Sequence, residues 1–199
     1  MAPFTIDMTM IVGAAISFFV GAIPFGYLLV RFILKKDIKK EGSGNIGATN
    51  VARVAGKKLG IVTLVLDICK GLACVLTAFH LALPAGTAAV LGLFAFLGHC
   101  FTPWLKFNGG KGVATGLGVM LLLVPTAAIS GLAAFLVVYL LQKKVSLGSL
   151  AGAVTAVVVT WSSQMDLLTQ ICVSLLVLIL IFRHKSNISR LMQRKELSI

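Results

Sequence analysis

The chain has 199 residues, of which 58% are apolar and 12% are charged, with a formal net charge of +12. This composition excludes an ordinary soluble domain, in which roughly 45–50% of residues are apolar and about 25% are charged. Because a membrane-spanning helix needs roughly 20 apolar residues, the length accommodates about seven spans and no separate soluble domain. We therefore predict an all-α integral membrane protein with seven transmembrane helices, forming a single domain over residues 1–199.

The apolar pattern predicts seven helices. They extend over about Met8 to Leu34, Leu59 to Leu83, Thr87 to Leu105, Val113 to Val124, Ala127 to Leu141, Leu147 to Trp161 and Leu167 to Phe182. Pro125 separates the fourth and fifth runs, and a proline can kink one helix or separate two. Two helices fit better, because one helix from Val113 to Leu141 would extend about 43 Å, beyond a hydrocarbon core of about 30 Å.

The basic residues predict the orientation of these helices. With seven spans, every lysine and arginine lies on one side of the membrane except Lys70, which lies within the second helix. The positive-inside rule makes that side cytoplasmic, so we expect the N-terminus outside and the C-terminus in the cytoplasm. A six-span arrangement would destroy this segregation of charge.

Three polar segments interrupt the apolar pattern, and all three fall on the predicted cytoplasmic face. They extend over residues 41–53, 108–115 and 183–190. The start of the sixth helix, Val145 to Ser149, lies on the same face. The sequence therefore predicts a site at the membrane boundary, open both to water and to the acyl region.

The first polar segment has the character of a phosphate cradle. Its three glycines allow backbone amides to surround an anion, and Arg53 adds a guanidinium that can bind a phosphate through two hydrogen bonds. Ser43, Asn45, Thr49 and Asn50 supply short polar side chains. The alternative is a flexible solvated loop, which would have little use for a Thr-Asn-Val-Ala-Arg sequence directly after its glycines.

The second polar segment contains Gly109, Gly110, Lys111 and Gly112 just before a predicted helix. Free amides and the positive end of a helix dipole favour an anion there, and Lys111 adds a mobile charge. The spacing is not that of a nucleotide P-loop. Taken alone, this segment could equally be a tight turn.

The third polar segment places His184 and Asn187 three residues apart, on one face of a continuing helix. Such a histidine could orient a hydroxyl group or take its proton, or it could simply belong to the basic cytoplasmic flank. Glu196 is the single acid in the basic tail, and we expect it to be an ion-pair partner rather than a base.

Charged and cysteine residues within the apolar runs have structural interpretations. Asp67 and Lys70 lie at positions i and i+3 of the second helix, where an ion pair is expected and substrate contact is the alternative. His99 and Trp104 fit either interfacial anchoring or site lining. We interpret Cys69, Cys74, Cys100 and Cys172 as small packing residues, and the spacing of cysteine and histidine predicts no metal and no disulfide.

The polar segments resemble the three cytoplasmic motifs of the bacterial acylphosphate-dependent glycerol-3-phosphate acyltransferases. The matching stretches are GSGNIGATNVAR from Gly42 to Arg53, KFNGGKGVAT from Lys106 to Thr115 and RHKSNISR from Arg183 to Arg190. The similarity extends over essentially the whole chain and includes the DICKG element at Asp67 to Gly71. The match is weakest at Glu196, because the family commonly has a glycine before that acid.

The resemblance implies transfer of a fatty acyl group from acyl phosphate to the sn-1 hydroxyl of glycerol 3-phosphate, giving lysophosphatidate and phosphate. It implies no cofactor, nucleic acid or obligate protein partner, and an active site on the cytoplasmic face of a bacterial inner membrane. The residues implied to be catalytic are Ser43, Arg53, Lys111, His184 and Asn187. Those implied to bind substrate are Gly42, Gly44, Asn45, Thr49, Asn50, Gly109, Gly110, Gly112 and Ser149. Structural roles are implied for Asp67, Lys70 and Glu196.

Two other classes of protein compete with this interpretation. A transporter of a phosphorylated solute would place its polar breaks near the bilayer midplane and would show paired repeats, whereas these glycine-rich breaks lie at one interface. A basic platform for anionic lipids would account for the net charge but not for the uncharged Gly, Ser, Thr and Asn pattern. Both fit the sequence less well than an acyltransferase.

Overall fold

The computed structural model describes residues 7–197, and within that range the chain is helical, with no strand. The α-helices are α1 Met8–Ala22, α2 Phe25–Leu34, α3 Ala48–Ala55, α4 Lys57–His80, α5 Ala85–Cys100, α6 Val113–Leu123, α7 Pro125–Gln142, α8 Val145–Ser162, α9 Leu167–Arg183 and α10 Lys185–Met192. Two 3₁₀ turns lie at Ile38–Lys40 and Pro103–Leu105.

The predicted single helix from Met8 to Leu34 is broken into α1 and α2 at Pro24, which corrects the prediction. Proline has no backbone N–H, and it disfavours helical backbone at the preceding Ile23, which is extended here. Two carbonyls at the break find side-chain donors: Lys70 Nζ donates to Ile23 O at 3.1 Å, and Thr102 Oγ1 to Ala22 O at 2.6 Å. Such replacement bonds are what allow a broken helix at membrane depth.

The division at Pro125 is confirmed. α6 ends at Leu123, and Pro125 occupies the first turn of α7, where its missing N–H costs no helical hydrogen bond. α6 has 11 residues and is therefore only about 16 Å long. This length is well short of a hydrocarbon core of about 30 Å.

Several helices are long and apolar enough to cross a membrane. Five helices are candidate membrane spans by length and composition, when Met8–Leu34 is counted as one helix. A sixth span is possible if α9 and α10, which are bent by 54°, cross the membrane together. Large apolar side chains such as Ile11, Leu140 and Leu178 face outward on these helices. The protein is therefore a multi-pass membrane protein whose exterior suits lipid.

The helices approach closely through small residues. A Cβ on Gly21 or Gly98 would collide with α5 or α1 backbone respectively, and one on Gly118 would collide with the backbone of α4. Close approach at small residues is how membrane helices gain packing contacts where the surrounding lipid offers no hydrophobic driving force. α4, α5, α6 and α9 form the main buried core, and the polar segments gather at one end of it.

Three of the four cysteines are buried, as expected for packing residues, whereas Cys69 is exposed on the outer face of α4. The prediction for Cys69 was wrong, because the helix turns that position away from the core. Two short helices, α3 and α10, overlap the first and third polar segments. α3 was not predicted, whereas a helix continuing past His184 was expected.

Candidate active site

All three polar segments meet at a cavity of about 470 Å³. Its polar lining includes Ser43, Asn45, Thr49, Arg53, Lys111, Ser146, Ser149, His184, Asn187, Arg190 and Glu196. A second cavity of about 250 Å³ adjoins it, since both are lined by Ser43, Asn45, Lys111 and Arg190. The second cavity also receives Lys39, Arg183 and Lys185 and no acidic side chain among the described residues.

The first polar segment is held by Asn50 of α3, which is 2% exposed. Its Nδ2 donates to Glu41 O at 3.0 Å and to Asn45 O at 2.8 Å, and its Oδ1 accepts from Ser43 N at 2.8 Å. Arg53 also donates to this oxygen, at 3.3 Å. Asn50 was predicted to bind substrate through its donors, but both amide protons are used inside the loop, so its role here is to shape the segment.

The second polar segment is held from two sides. On one side, Gly110 N donates to His99 O at 3.0 Å and Gly109 N donates to Cys100 O at 3.2 Å. On the other, Arg183 donates from Nε to Gly110 O at 3.0 Å and from NH2 to Gly109 O at 2.7 Å. The backbone N–H and C=O groups of both glycines are therefore hydrogen-bonded within the protein. The prediction of free amides was wrong for Gly109 and Gly110, because α5 carbonyls accept both of them.

Lys111 lies half-buried between the two cavities. Burial lowers its pKa to about 8, the nearby Glu196 carboxylate opposes this shift, and Arg190, Arg53 and Arg183 reinforce it. A cation whose charge is this poorly solvated gains more than an exposed lysine from an incoming phosphate. Lys111 is thus well placed to bind an anion.

The third polar segment does not continue as a straight helix, because the chain bends by 54° between α9 and α10, with His184 at the break. His184 and Asn187 nonetheless line the same cavity. His184 Nδ1 lies 2.8 Å from Leu180 O, and since a carbonyl can only accept, Nδ1 carries the proton and Nε2 is an acceptor. Among the described residues, Asn187 Oδ1 has no hydrogen-bond partner, so it is a second acceptor.

Glu196 connects the third segment to α8. Its carboxylate accepts from Ser146 Oγ at 2.6 Å, from Asn187 Nδ2 at 2.5 Å and from Arg190 Nε at 2.8 Å. Burial alone would raise the pKa of Glu196, but these hydrogen bonds outweigh it and hold the pKa below its ordinary value. The expected ion pair is present with Arg190, and the carboxylate is fully engaged.

A buried polar cluster lies below the cavity. Lys70 Nζ is 2.8 Å from Asp67 Oδ1, which confirms the expected ion pair, and 2.8 Å from His99 Nδ1. Asp67 and His99 also line the 470 Å³ cavity, so His99 belongs to the site, whereas Trp104 is 62% exposed on the outer surface. Sequence spacing revealed the Asp67–Lys70 pair but not the contact with His99.

The cavity also has an apolar lining. It includes Ile61 and Leu64 of α4 and Phe135 and Tyr139 of α7, and the two aromatic rings stack with their centroids 5.9 Å apart. Ile61 is 59% exposed, so this part of the lining reaches the outer surface of the protein. The site therefore combines cationic and apolar side chains in one cavity.

Most of the residues proposed from the sequence line one of the two cavities, including Gly44, Gly109 and Gly112. Within residues 7–197, Gly42, Gly110 and Lys70 line neither cavity. Gly42 has a positive φ of 57°, and a Cβ there would collide with Asn50 Oδ1, so this glycine shapes the loop. Sequence reasoning missed Arg183 and Arg190, although both lie in the third segment. Arg190 follows Asn187 at the i, i+3 spacing, which places these two residues on one helix face.

Comparison with known proteins decides which family this architecture represents. A family model described as glycerol-3-phosphate acyltransferase matches residues 11–194. The chain belongs to the glycerol-3-phosphate acyltransferase family. It is 46% identical over 182 residues to the glycerol-3-phosphate acyltransferase of Myxococcus xanthus, covering 91% of this chain and 95% of that one. The Clostridium acetobutylicum protein of the same description is 39% identical over 193 residues, covering 94% and 98%.

Solved structures of the family have the same fold. The integral membrane glycerol 3-phosphate acyltransferase PlsY in its glycerol 3-phosphate form is 30% identical, with a TM-score of 0.91 over 96% of each chain. Its lysophosphatidic acid form gives a TM-score of 0.88 over 96% of this chain and 95% of that one. The present protein is thus a membrane enzyme, an acyltransferase of this family.

Proposed function

We propose that the protein transfers a fatty acyl group from acyl phosphate to the sn-1 hydroxyl of glycerol 3-phosphate, giving lysophosphatidate and inorganic phosphate. The observation that carries this proposal is the cavity itself, which is lined both by the cations Arg53, Lys111 and Arg190 and by apolar side chains such as Ile61 and Phe135. Cations suit the phosphates of both substrates, and the apolar lining suits an acyl chain. PlsY is described with glycerol 3-phosphate and with lysophosphatidic acid, which agrees with this substrate and product.

The cationic region has room for two phosphate groups. The 250 Å³ cavity contributes Lys39, Arg183 and Lys185, and the cations shared by both cavities are Lys111 and Arg190. One phosphate belongs to the acceptor and the other leaves during the reaction. Lys111, between the two cavities, is positioned to contact both and to hold them in a reactive arrangement.

The reaction is a direct displacement. The acceptor hydroxyl oxygen forms a bond to the acyl carbonyl carbon, and the bond from that carbon to the phosphate oxygen breaks, so the electron pair leaves with inorganic phosphate. Acyl phosphate is already activated, and no covalent acyl-enzyme is required. Lys111 and Arg53 stabilise the phosphate charge.

Two groups are candidates to accept the hydroxyl proton: an oxygen of substrate phosphate and His184 Nε2. If His184 is the obligatory base, His184→Ala abolishes the chemical step in single-turnover experiments with saturating substrates. A near-normal rate would assign the proton to phosphate.

In the membrane, we propose seven spans over a single domain of residues 1–199, with the N-terminus outside and the cavity on the cytoplasmic face of the bacterial inner membrane. The segregation of basic residues supports this orientation, because all three polar segments share the basic side. The enzyme works within membrane lipid and needs no cofactor, nucleic acid or obligate protein partner.

The test is phosphate release by purified protein in detergent or lipidic mesophase, supplied with long-chain acyl phosphate, with and without glycerol 3-phosphate. We expect release that requires glycerol 3-phosphate and that falls by about 10²- to 10³-fold in Lys111→Ala, the usual effect of removing one charge-stabilising donor. Lys106→Ala is the matched control, because it removes an exposed cation from the same loop and lines neither cavity.

Two results would overturn the assignment. Acylation of glycerol 3-phosphate from acyl-CoA or acyl carrier protein, with acyl phosphate inert, would replace the proposed donor. An equal loss in Lys106→Ala and Lys111→Ala would show that general surface charge, rather than the cavity lysine, binds the substrates.

A further inference from the structure

The buried cluster of Asp67, Lys70 and His99 has a polar arrangement that helix packing alone does not require. The three residues are only 2%, 4% and 4% exposed. Lys70 Nζ hydrogen-bonds to His99 Nδ1 at 2.8 Å and to Ile23 O at 3.1 Å, and it lies 2.8 Å from Asp67 Oδ1 as an ion pair. A buried ion pair is weak evidence of stabilisation, since apolar residues of similar volume usually replace one at little cost.

The contact with Lys70 defines the tautomer of His99. An ammonium group only donates, so His99 Nδ1 accepts, and in the neutral ring the proton lies on Nε2. The contact of the same Nδ1 with Asp67 Oδ1 is longer, at 3.5 Å, and does not compete with it. The ring is therefore held in one orientation by α4.

The other edge of the His99 ring supports the second polar segment. A Cβ built on Gly110 would collide with His99 Nε2, and the nearest atoms to it, Nε2, Cε1 and Cδ2, all belong to this ring. The backbone of His99 is also the acceptor for Gly110 N. The next residue along the chain is Lys111, whose side chain lies between the two cavities.

We propose that Asp67, Lys70 and His99 act as one buried support for the Gly109–Gly110 segment, which makes His99 a positioning residue for Lys111. The ion pair orients the ring, the ring limits the path of the backbone at Gly110, and that path sets where the Lys111 ammonium lies. The inference rests on the proposed function, because its principal readout is acyl transfer to glycerol 3-phosphate.

A double-mutant cycle between His99 and Gly110 tests this support. His99→Asn retains an acceptor for Lys70 near the position of Nδ1 but removes the part of the ring that faces Gly110. Gly110→Ala places a methyl group against that ring, and we expect kcat/KM to fall by about 10²-fold, as when a reacting group is displaced by about 1 Å. In the double variant the methyl group has room, and we expect at least about tenfold recovery relative to Gly110→Ala, because residues in contact are non-additive.

The pH profile gives a second readout, which a general loss of stability would not move. In His99→Asn the loosened segment exposes Lys111 to water, so the alkaline limb of kcat/KM should move upward from about pH 8. Thr160→Val is the matched control: it removes another buried hydrogen bond, 2.8 Å to Ala156 O, far from the segment. It should leave the limb in place.

Hydrogen exchange at the Gly109 and Gly110 amides tests the support without activity, and we expect faster exchange in His99→Asn than in the wild type or Thr160→Val. Additive effects in the cycle, or unchanged exchange and an unmoved limb, would overturn the inference. An inactive wild-type protein would contradict the proposed function instead, and the exchange experiment would still decide about the support. If Gly110→Ala does not fold, exchange and pH profile in His99→Asn alone remain decisive.

Discussion

The two glycine-rich segments that build the site are held in opposite ways. The first, residues 41–47, is closed by Asn50, whose bonding partners are at most nine residues away. The second is held at Gly109 and Gly110 by Arg183, which is 74 and 73 residues away respectively, and by the end of α5. One half of the site is thus a local structure, and the other half exists only where α5 and α9 are packed together.

We expect the largest loss of activity from Arg183→Ala, which removes the long-range support of the second segment. It leaves the Gly109 and Gly110 carbonyls without their charged donor, and hydrogen bonds to charged groups contribute about 1.5–3 kcal/mol each. We expect kcat/KM for phosphate release to fall by about 10²-fold or more, the usual range for one displaced catalytic group. Arg31→Ala, which removes an exposed arginine of α2, is the control. A loss below a few-fold would mean that the α5 end alone holds the segment.

Asn50→Ala should have a smaller and more local effect. It removes up to four neutral or singly charged hydrogen bonds that Asn50 makes within the first segment. We expect about a tenfold loss of kcat/KM, since neutral bonds contribute only about 0.5–1.5 kcal/mol each. Hydrogen exchange should quicken at the Ser43 amide and stay unchanged at Gly109 and Gly110. Faster exchange in both segments would show that they are one cooperative unit.

The pH dependence should be the mildest effect. Burial lowers the pKa of Lys111 to about 8 from an ordinary value of 10.5, so its charge is present below pH 8 and is lost as the pH rises through 8. We expect kcat/KM for glycerol 3-phosphate to fall by at most about tenfold per pH unit above 8. Because the unfolded chain keeps the proton longer, the contribution of Lys111 to stability rises with pH between about 8 and 10.5.

Two variants test whether Lys111 is the group that titrates in the alkaline limb. The groups around Lys111 are Glu196, Arg190, Arg53 and Arg183, of which only Glu196 raises its pKa. Glu196→Gln should therefore move the alkaline limb to lower pH. Lys111→Arg, whose guanidinium stays protonated, should remove the limb altogether. A limb that persists in Lys111→Arg would belong to another group.

The features that could be predicted from the sequence are those that depend on residues close together along the chain. The i, i+3 spacing of Asp67 and Lys70 predicted their ion pair, and the length argument at Pro125 predicted two helices, and both are present. The break at Pro24 was missed because the apolar run continues through it without interruption. Donors from Lys70 of α4 and from Thr102, just after α5, stabilise that break, and they are separated from it by dozens of residues.

The sequence by itself determined that this chain is a helical membrane protein and that its three polar segments contain residue types that suit phosphate. Those conclusions follow from composition and from residue types, which a linear pattern records directly. Only the tertiary structure decided that Asn50 organises the first segment, that Arg183 and the end of α5 hold Gly109 and Gly110, and that all three segments line one cavity. The reason is physical: hydrogen bonds and close contacts between distant segments form only after the helices pack, so no local pattern contains them.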